Sequence, residues 1–218
     1  METIRIDALC KSYGNTQAVN NLSISVERGE VFGLLGANGA GKSTTIECVL
    51  GTKKFSNGSI SILGMNPQTE RKELFERVGV QFQESNYQDK ITVAELCEVT
   101  QALYKHPSDY VALLKQFGLS DKFKSQVNEL SGGQQQRVSI GRALAYSPSI
   151  VLADEPTGNL DSKNSKEIID LLKISVRKYN QTLILITHDL NIASQADRII
   201  TIGDGNIIKD EVINSEIL

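Results

Sequence analysis

The amino-acid sequence predicts an α/β fold whose sheet is mainly parallel, and three observations support this prediction. Short apolar runs alternate with helical patterns in the last third of the chain, as parallel strands and crossover helices do. A glycine-rich segment at 36–43 follows one apolar run and precedes a helical pattern. A second apolar run ends in two carboxylates at 154–155. We therefore expect a ligand to bind at the carboxyl ends of parallel strands.

Local patterns predict the individual elements in chain order. Alternating or continuous apolar residues predict strands at 4–8, 22–26, 31–35, 58–63, 78–82, 150–153, 183–187 and 199–202. Helical periodicity predicts helices at 42–50, 92–104, 108–117 and 162–179. Thr92 and Glu95 form a capping box for the second of these helices, while Ser108 and Gly118 are expected to begin and end the third. Residues of about 85–145 thus form a mainly helical insertion in an α/β core.

The composition is that of an ordinary globular protein. The 218 residues are 40% hydrophobic and 22% charged, and we expect them to form one domain over residues 1–218. A net charge of −3 provides no general basic surface, which argues against nucleic acid as a partner. No run approaches the ~20 apolar residues of a membrane-spanning helix, and the first ten residues lack the apolar core of a secretory signal. Three widely spaced cysteines indicate reduced thiols in a cytoplasmic protein.

The segment 36–43 fits the phosphate-binding pattern G-x-x-x-x-G-K-[ST]. Glycines let the backbone N–H groups turn inward, and the following helix adds the positive end of its dipole. Lys42 is expected to reach the β- and γ-phosphates, and the Ser43 hydroxyl to bind Mg²⁺. A glycine-rich loop that fits by chance is the alternative, and the flanking strand and helix argue against it. The predicted ATP-binding residues here are Gly36, Ala37, Asn38, Gly39, Ala40, Gly41, Lys42, Ser43 and Thr44.

The apolar run at 150–153 delivers Asp154 and Glu155 to the end of a strand. Because neighbouring strand residues face opposite ways, the two carboxylates are expected to have different roles. Asp154 is expected to hold Mg²⁺, and Glu155 to polarise the water that attacks the γ-phosphate. A strand that ends in solvated acids is the alternative. The glycine spacing does not fit G-x-G-x-x-G, so the sequence gives no support to dinucleotide redox chemistry.

The segment 130–137, Leu-Ser-Gly-Gly-Gln-Gln-Gln-Arg, has the features of a second phosphate-binding helix start. Ser131 is a good N-cap, and the two glycines after it allow close backbone approach. The segment closely resembles the signature motif of ABC ATPases. The resemblance implies that this helix faces the ATP of an opposite subunit, and therefore that the protein is a dimer. The residues implied to bind ATP in trans are Ser131, Gly132, Gly133 and Gln134.

Further residues resemble positions of the same family. Tyr13 looks like the aromatic residue that stacks on adenine, with an ordinary surface or core tyrosine as the alternative. Gln83 resembles the glutamine that closes a strand and touches Mg²⁺ and the attacking water, and Gln81 is its rival two residues earlier. His188 resembles the switch histidine that senses the γ-phosphate. The loop 158–161 resembles the loop that crosses between subunits, with Asp161 as its contact residue.

The resemblance extends from Tyr13 to about Asp210. It implies a P-loop NTPase core with a mainly parallel sheet, an antiparallel β subdomain in the N-terminal part and a helical subdomain inserted before the signature motif. The implied cofactors are ATP and Mg²⁺. Because the residues that carry hydrolysis in the family are intact, the resemblance implies a competent ATPase.

The implied partners are a second ATPase subunit, as a homodimer, and a membrane-spanning permease. The resemblance therefore also implies a peripheral protein on the cytoplasmic face of the cell membrane. The helical insertion, hinged at Gln83 and residues 84–89, would carry the motion to the permease. Segments around 33–45 and 153–161 are similar to exporter, lipoprotein-release, macrolide-export and antimicrobial-peptide-resistance ATPases, which favours an exporter. An ABC-class regulatory or assembly factor that moves no cargo is the alternative.

Overall fold

The computed structural model describes residues 2–83, 87–158 and 160–213. They divide into two compact units, Met1–Phe75 with Thr182–Leu218, and Glu76–Gln181. The strands are β1 (Glu2–Tyr13), β2 (Thr16–Glu27), β3 (Val31–Leu35), β4 (Asn57–Ile62), β5 (Val78–Gln81), β6 (Ile150–Asp154), β7 (Thr182–Thr187), β8 (Arg198–Gly203) and β9 (Asn206–Val212). The helices are α1 (Lys42–Val49), α2 (Arg71–Leu74), α3 (Val93–Ala102), α4 (Tyr110–Gln116), α5 (Gly132–Leu144), α6 (Ser162–Lys178) and α7 (Leu190–Ala193), and a 3-10 turn lies at Val127–Glu129.

The first unit contains an antiparallel sheet in the order β2-β1-β4. Ile6 of the central strand lies opposite Ile24 on one side and Ile60 on the other, and all three side chains are buried. The sheet confirms the predicted antiparallel β subdomain. Its first two strands are much longer than the predicted 4–8 and 22–26, because main-chain pairing continues beyond the alternating apolar residues.

The first unit also contains parallel strands, in the order β7-β3-β8, with β9 antiparallel at the edge. Leu34 of β3 lies opposite Ile186 and Ile200 of its two neighbours. All six residues of β7 are buried, as expected for a parallel strand covered on both faces. The carboxyl ends of β3 and β7 therefore lie side by side, with Leu35 opposite Thr187.

The second unit joins the parallel pair β5 and β6 to helices α3–α6. Gly79 of β5 has no room for a side chain, because an added Cβ would collide with the carbonyl oxygen of Ala143 on α5. This close approach explains why α5 packs directly on β5. The unit contains the predicted helical insertion of 85–145, and a single domain over residues 1–218 stays a prediction.

Most predicted helix ends are confirmed. Thr92 and Glu95 form the predicted capping box, and Gly118 follows α4 with a φ of +67°. The prediction of Ser108 as the N-cap of α4 was wrong, because the Asp109 carboxylate accepts the first backbone N–H groups and the Ser108 hydroxyl pairs with Ser147. Within the described residues, no helix has the length and apolar character needed to cross a membrane.

Candidate functional site

The loop between β3 and α1 has the shape that the phosphate-binding pattern predicts. The Gly36 N–H donates to the Thr187 carbonyl at 3.3 Å, which fixes the start of the loop beside β7. An additional Cβ at Gly36 would collide with the Ile202 carbonyl oxygen, so only glycine fits there. The tip of the loop, residues 37–39, is exposed. Its backbone is therefore accessible to an anion.

Lys42 is the first residue of α1, and its side chain returns over this loop. It is 6% exposed, and its ammonium group donates to the carbonyl oxygens of Gly36 at 2.6 Å and Ala37 at 3.2 Å. The buried charge adds to the positive helix end at the concave side of the loop, which makes this side suited to a phosphate group. Ser43 and Thr44 follow Lys42 in the first turn of α1, so both hydroxyl groups lie near the start of the helix. Ser43 is exposed and Thr44 is half-buried.

His188 belongs to the same unit as the loop. It is exposed and follows β7 directly, so the strand register brings it to the sheet edge at which the loop begins. The next residue, Asp189, caps α7 and donates its backbone N–H to the Thr187 hydroxyl at 3.1 Å. These hydrogen bonds hold the turn that carries the imidazole ring.

Tyr13 lies at the end of β1, and 43% of its surface is exposed. The ammonium groups of Lys11 and Lys53 lie 4.8 and 5.4 Å from the centre of its ring. Sequence reasoning singled out Tyr13 and missed both lysines. The spacing of Lys11, two residues earlier on the same strand, was a usable signal, whereas nothing local pointed to Lys53.

In the second unit, Asp154 ends β6 and Glu155 follows it in a turn. Glu155 is buried at 7% exposure and has a φ of +44°, a left-handed conformation that costs a residue other than glycine of order 1–3 kcal/mol. The Gly158 N–H closes the turn by donating to the Glu155 carbonyl at 3.2 Å. We predicted different directions for the two carboxylates from strand alternation, and that reasoning was wrong because Glu155 is outside the strand. The half-buried Asp154 and the buried Glu155 still differ in environment.

Gln81 and Gln83 differ sharply in their environments. Gln81 ends β5 and is fully buried. Its amide nitrogen donates to the Phe82 carbonyl, while its Oε1 accepts no hydrogen bond from the residues that the structure describes. Gln83 is exposed. Because Gln81 lies opposite Ala153 in the parallel register, the exposed Gln83 follows β5 at the edge where Asp154 ends β6. The strand is thus one residue shorter than predicted. Of the predicted hinge, residues 84–86 lie outside the described residues.

The signature segment forms a capped helix start, as predicted. Ser131 is the N-cap of α5 and forms a capping box with Gln134, at 3.4 Å between the Gln134 backbone nitrogen and the Ser131 hydroxyl and 3.1 Å for the reverse bond. Ser131 and Gly132 are exposed, while Gly133 and Gln134 are half-buried. The backbone at this helix start is accessible to an anion outside the unit.

Asn164, a residue that sequence reasoning missed, connects Asp161 to the signature segment. Asp161 caps α6 by accepting the Asn164 backbone N–H at 2.9 Å and its side-chain amide at 2.8 Å. The backbone bond is the largest cause that lowers the pKa of the Asp161 carboxyl. A Cβ added to Gly133 would lie 3.4 Å from the amide oxygen of Asn164. Asn159, within the predicted inter-subunit loop, lies outside the described residues.

The predicted site residues therefore divide between the two units. The first unit holds Tyr13, the loop 36–44 and His188, and the second holds the remainder. Within the second unit, Gln83 shares a sheet edge with the two carboxylates, and Asp161 shares a neighbourhood with the signature segment. The predicted site residues in the second unit are Gln83, Ser131, Gly132, Gly133, Gln134, Asp154, Glu155 and Asp161.

Comparisons with known proteins give a consistent result. Residues 19–158 match the family described as ABC transporter. A methionine import ATP-binding protein of Rhizobium johnstonii is 37% identical over 219 residues, 96% of this chain and 60% of that protein. An uncharacterized ABC transporter ATP-binding protein of Mycobacterium tuberculosis is 38% identical over 202 residues, 88% of this chain and 82% of that protein. The chain thus spans about 60% of the length of the methionine import relative.

A solved structure agrees with the predicted fold. It is the dimeric post-hydrolysis state of an ATP-binding cassette bound to ADP and Pi, with a TM-score of 0.86 and 30% sequence identity, covering 97% of this chain and 99% of that chain. The likeness confirms the predicted α/β P-loop NTPase fold. The expectation of an exporter gains no support, because the relatives with a named substrate import methionine.

Proposed function

Because the chain belongs to the ABC transporter family of ATP-binding proteins, we propose that it binds ATP with Mg²⁺ and hydrolyses the ATP as one subunit of a dimer. One observation carries this proposal. The ammonium group of Lys42 is buried against the carbonyl oxygens of Gly36 and Ala37, at the start of α1. A buried cation on a glycine-rich loop at a helix N-terminus is suited to a polyphosphate.

The residues available for Mg²⁺ fit that ion by their chemistry. Mg²⁺ prefers oxygen ligands and keeps several waters, so few protein ligands are needed. The Ser43 hydroxyl, the Asp154 carboxylate and the Gln83 amide oxygen are such donors, and none is fully buried. When bound, the ion would supply positive charge that offsets the negative charge developing on the phosphate oxygens.

Hydrolysis is assigned to three side chains. Glu155 accepts a proton from the attacking water, Gln83 orients that water, and His188 donates to the γ-phosphate. The strained backbone of Glu155 supports this assignment, since residues in such conformations cluster at functional positions.

The dimer is proposed because the signature segment has the features of a second anion-binding helix start. The start of α5 is exposed at Ser131 and Gly132. The loop 36–44 would itself hold the phosphates of the nucleotide bound to its own subunit, so a second helix start is suited to a nucleotide held by another copy. The dimeric state of the ADP-bound relative supports this arrangement. Asp161, beside the signature segment, would contact the other subunit.

A membrane-spanning permease is the proposed partner, which would place the protein peripherally on the cytoplasmic face of the membrane. The family membership and the two ATP-binding relatives support this part of the proposal. The proposal assigns no export, because the named relatives import their substrate. The permease would then decide the cargo, since the proposed site residues act on nucleotide.

The test uses Glu155→Gln, with Glu98→Gln on the exposed surface of α3 as the matched control. Loss of the base is expected to lower ATP turnover by about 10²-fold or more, because general-base catalysis contributes about that factor. Light scattering with saturating ATP and Mg²⁺ should then find the variant at twice the 23.9 kDa subunit mass. A Glu155→Gln variant that stays monomeric would contradict the dimer, and one that keeps wild-type turnover would contradict the assigned base.

A further inference from the structure

The ring of Tyr13 is connected to the helix that begins at Lys42 through two side chains. The ammonium nitrogen of Lys53 lies 5.4 Å from the centre of the Tyr13 ring. The same nitrogen lies 3.1 Å from a carboxylate oxygen of Glu47, a residue of α1. The contacts therefore run from ring to cation to carboxylate to the phosphate-loop helix, all within one compact unit.

The main chain after α1 brings Lys53 back to this helix. The backbone N–H groups of Thr52 and Lys53 donate to the Glu47 carbonyl at 2.9 and 3.0 Å, and the Thr52 hydroxyl donates to it at 2.9 Å. Hydrogen bonds to Glu47 and then to Tyr13 raise the pKa of the Lys53 ammonium group above 10.5. The turn therefore holds a positive charge beside the ring at neutral pH.

Lys11 supplies a second cation to the same ring. It precedes Tyr13 by two residues on β1, and its ammonium nitrogen lies 4.8 Å from the ring centre. Cations are attracted to the electron-rich face of an aromatic ring. An exposed tyrosine ring that is held by two cations loses part of its rotational freedom before any ligand arrives.

We infer that Lys53, held by Glu47, positions the Tyr13 ring for stacking against the purine base of the nucleotide. The inference rests on the proposed binding of ATP. A ring that is already oriented loses less conformational entropy when a base stacks on it. Lys53 therefore acts on affinity for the base through Tyr13, and has no part in phosphate binding or in the hydrolysis step.

The experiment compares ligands with and without a base. ADP and inorganic pyrophosphate are titrated calorimetrically into wild type and Lys53→Met, and KM and kcat are measured for ATP. Lys53→Met is expected to raise the Kd for ADP about two- to five-fold, the size of an exposed cation–π contact. The Kd for pyrophosphate and the kcat stay unchanged, while KM rises with the Kd for ADP. Lys53→Arg keeps a cation and restores wild-type affinity, and Lys54→Met is the control for removal of a neighbouring charge.

A double-mutant cycle tests the connection to α1. Glu47→Gln is expected to raise the Kd for ADP in the wild type and to have no effect in Lys53→Met, because its influence passes through Lys53. An unchanged Kd for ADP in Lys53→Met, or an equal loss of pyrophosphate affinity, would overturn the positioning role. Wild-type protein that binds pyrophosphate and ADP equally well would exclude base stacking. Wild-type protein that binds neither ligand would overturn the proposed function itself.

Discussion

Replacing Gly41 by Ala is expected to lower the free energy of unfolding by about 2–5 kcal/mol, because two costs add at this position. Gly41 is the N-cap of α1 and has a φ of +106° and a ψ of 0°, a backbone conformation that L side chains rarely adopt. A left-handed conformation costs about 1–2 kcal/mol. The added Cβ would also collide with the carbonyl oxygen of Ala18, and overpacking of this kind costs about 1–3 kcal/mol.

Gly39→Ala is the matched control in the same loop. Gly39 has a φ of +82°, but no heavy atom lies within 4 Å of an added Cβ, so only the conformational cost of about 1–2 kcal/mol applies. Urea unfolding followed by circular dichroism gives both free energies, and equal m-values confirm that the denatured states are comparable. Equal losses for Gly41→Ala and Gly39→Ala would refute the close approach of Ala18.

Two further predictions concern a buried amide and an ion pair. Gln81→Leu removes a buried acceptor to which no described residue donates, together with the amide donor to the Phe82 carbonyl. The free energy of unfolding should therefore fall by no more than about 1.5 kcal/mol, the net value of a single hydrogen bond, and ATP turnover should persist. Gln83→Ala should instead lower kcat with an unchanged fold. Loss of turnover in a folded Gln81→Leu variant would instead make Gln81 the functional glutamine. The guanidinium of Arg198 bonds to Asp210 at 2.6 Å, and this hydrogen bond is the largest cause that lowers the pKa of the Asp210 carboxyl below 3.8. Because the folded-state pKa of Asp210 is lowered, the stabilisation by this ion pair is present above pH 3.8 and is lost as the pH falls through the lowered value. Asp210→Asn should therefore reduce the acid dependence of the free energy of unfolding, measured by urea titrations below pH 4.

The sequence predicted the parallel core because β3, β6 and β7 are buried apolar runs that need no partner to be recognised. Edge strands were harder to predict from the sequence. β9 was missed because Ile207, Ile208 and Val212 are exposed and its pattern does not alternate, so only its pairing with β8 makes it a strand. The predicted strands fell furthest short of the observed bounds at β1 and β2, because main-chain hydrogen bonds that carry no side-chain signature extend their polar ends.

The candidate site shows the same division at the level of single residues. The spacing from Gly36 to Ser43 constrains the backbone over one loop and one helix start, and hydrogen bonds of that range are local enough to follow from sequence. The capping box of Ser131 and Gln134 is local for the same reason. The backbone of Glu155 was not foreseeable, because a positive φ in a residue other than glycine is sustained only by its surroundings.

By itself the sequence determined the phosphate loop, the capped signature helix and the parallel core, since each depends on residues within a few positions of one another. The tertiary structure decided that Gln81 is buried while Gln83 is exposed, and that Lys53 lies beside Tyr13. The burial of Gln81 depends on how β5 packs against α5. The position of Lys53 depends on how the turn after α1 returns to the end of β1. Contacts between residues far apart in the chain arise only when packing brings their elements together, and no local pattern of residues encodes them.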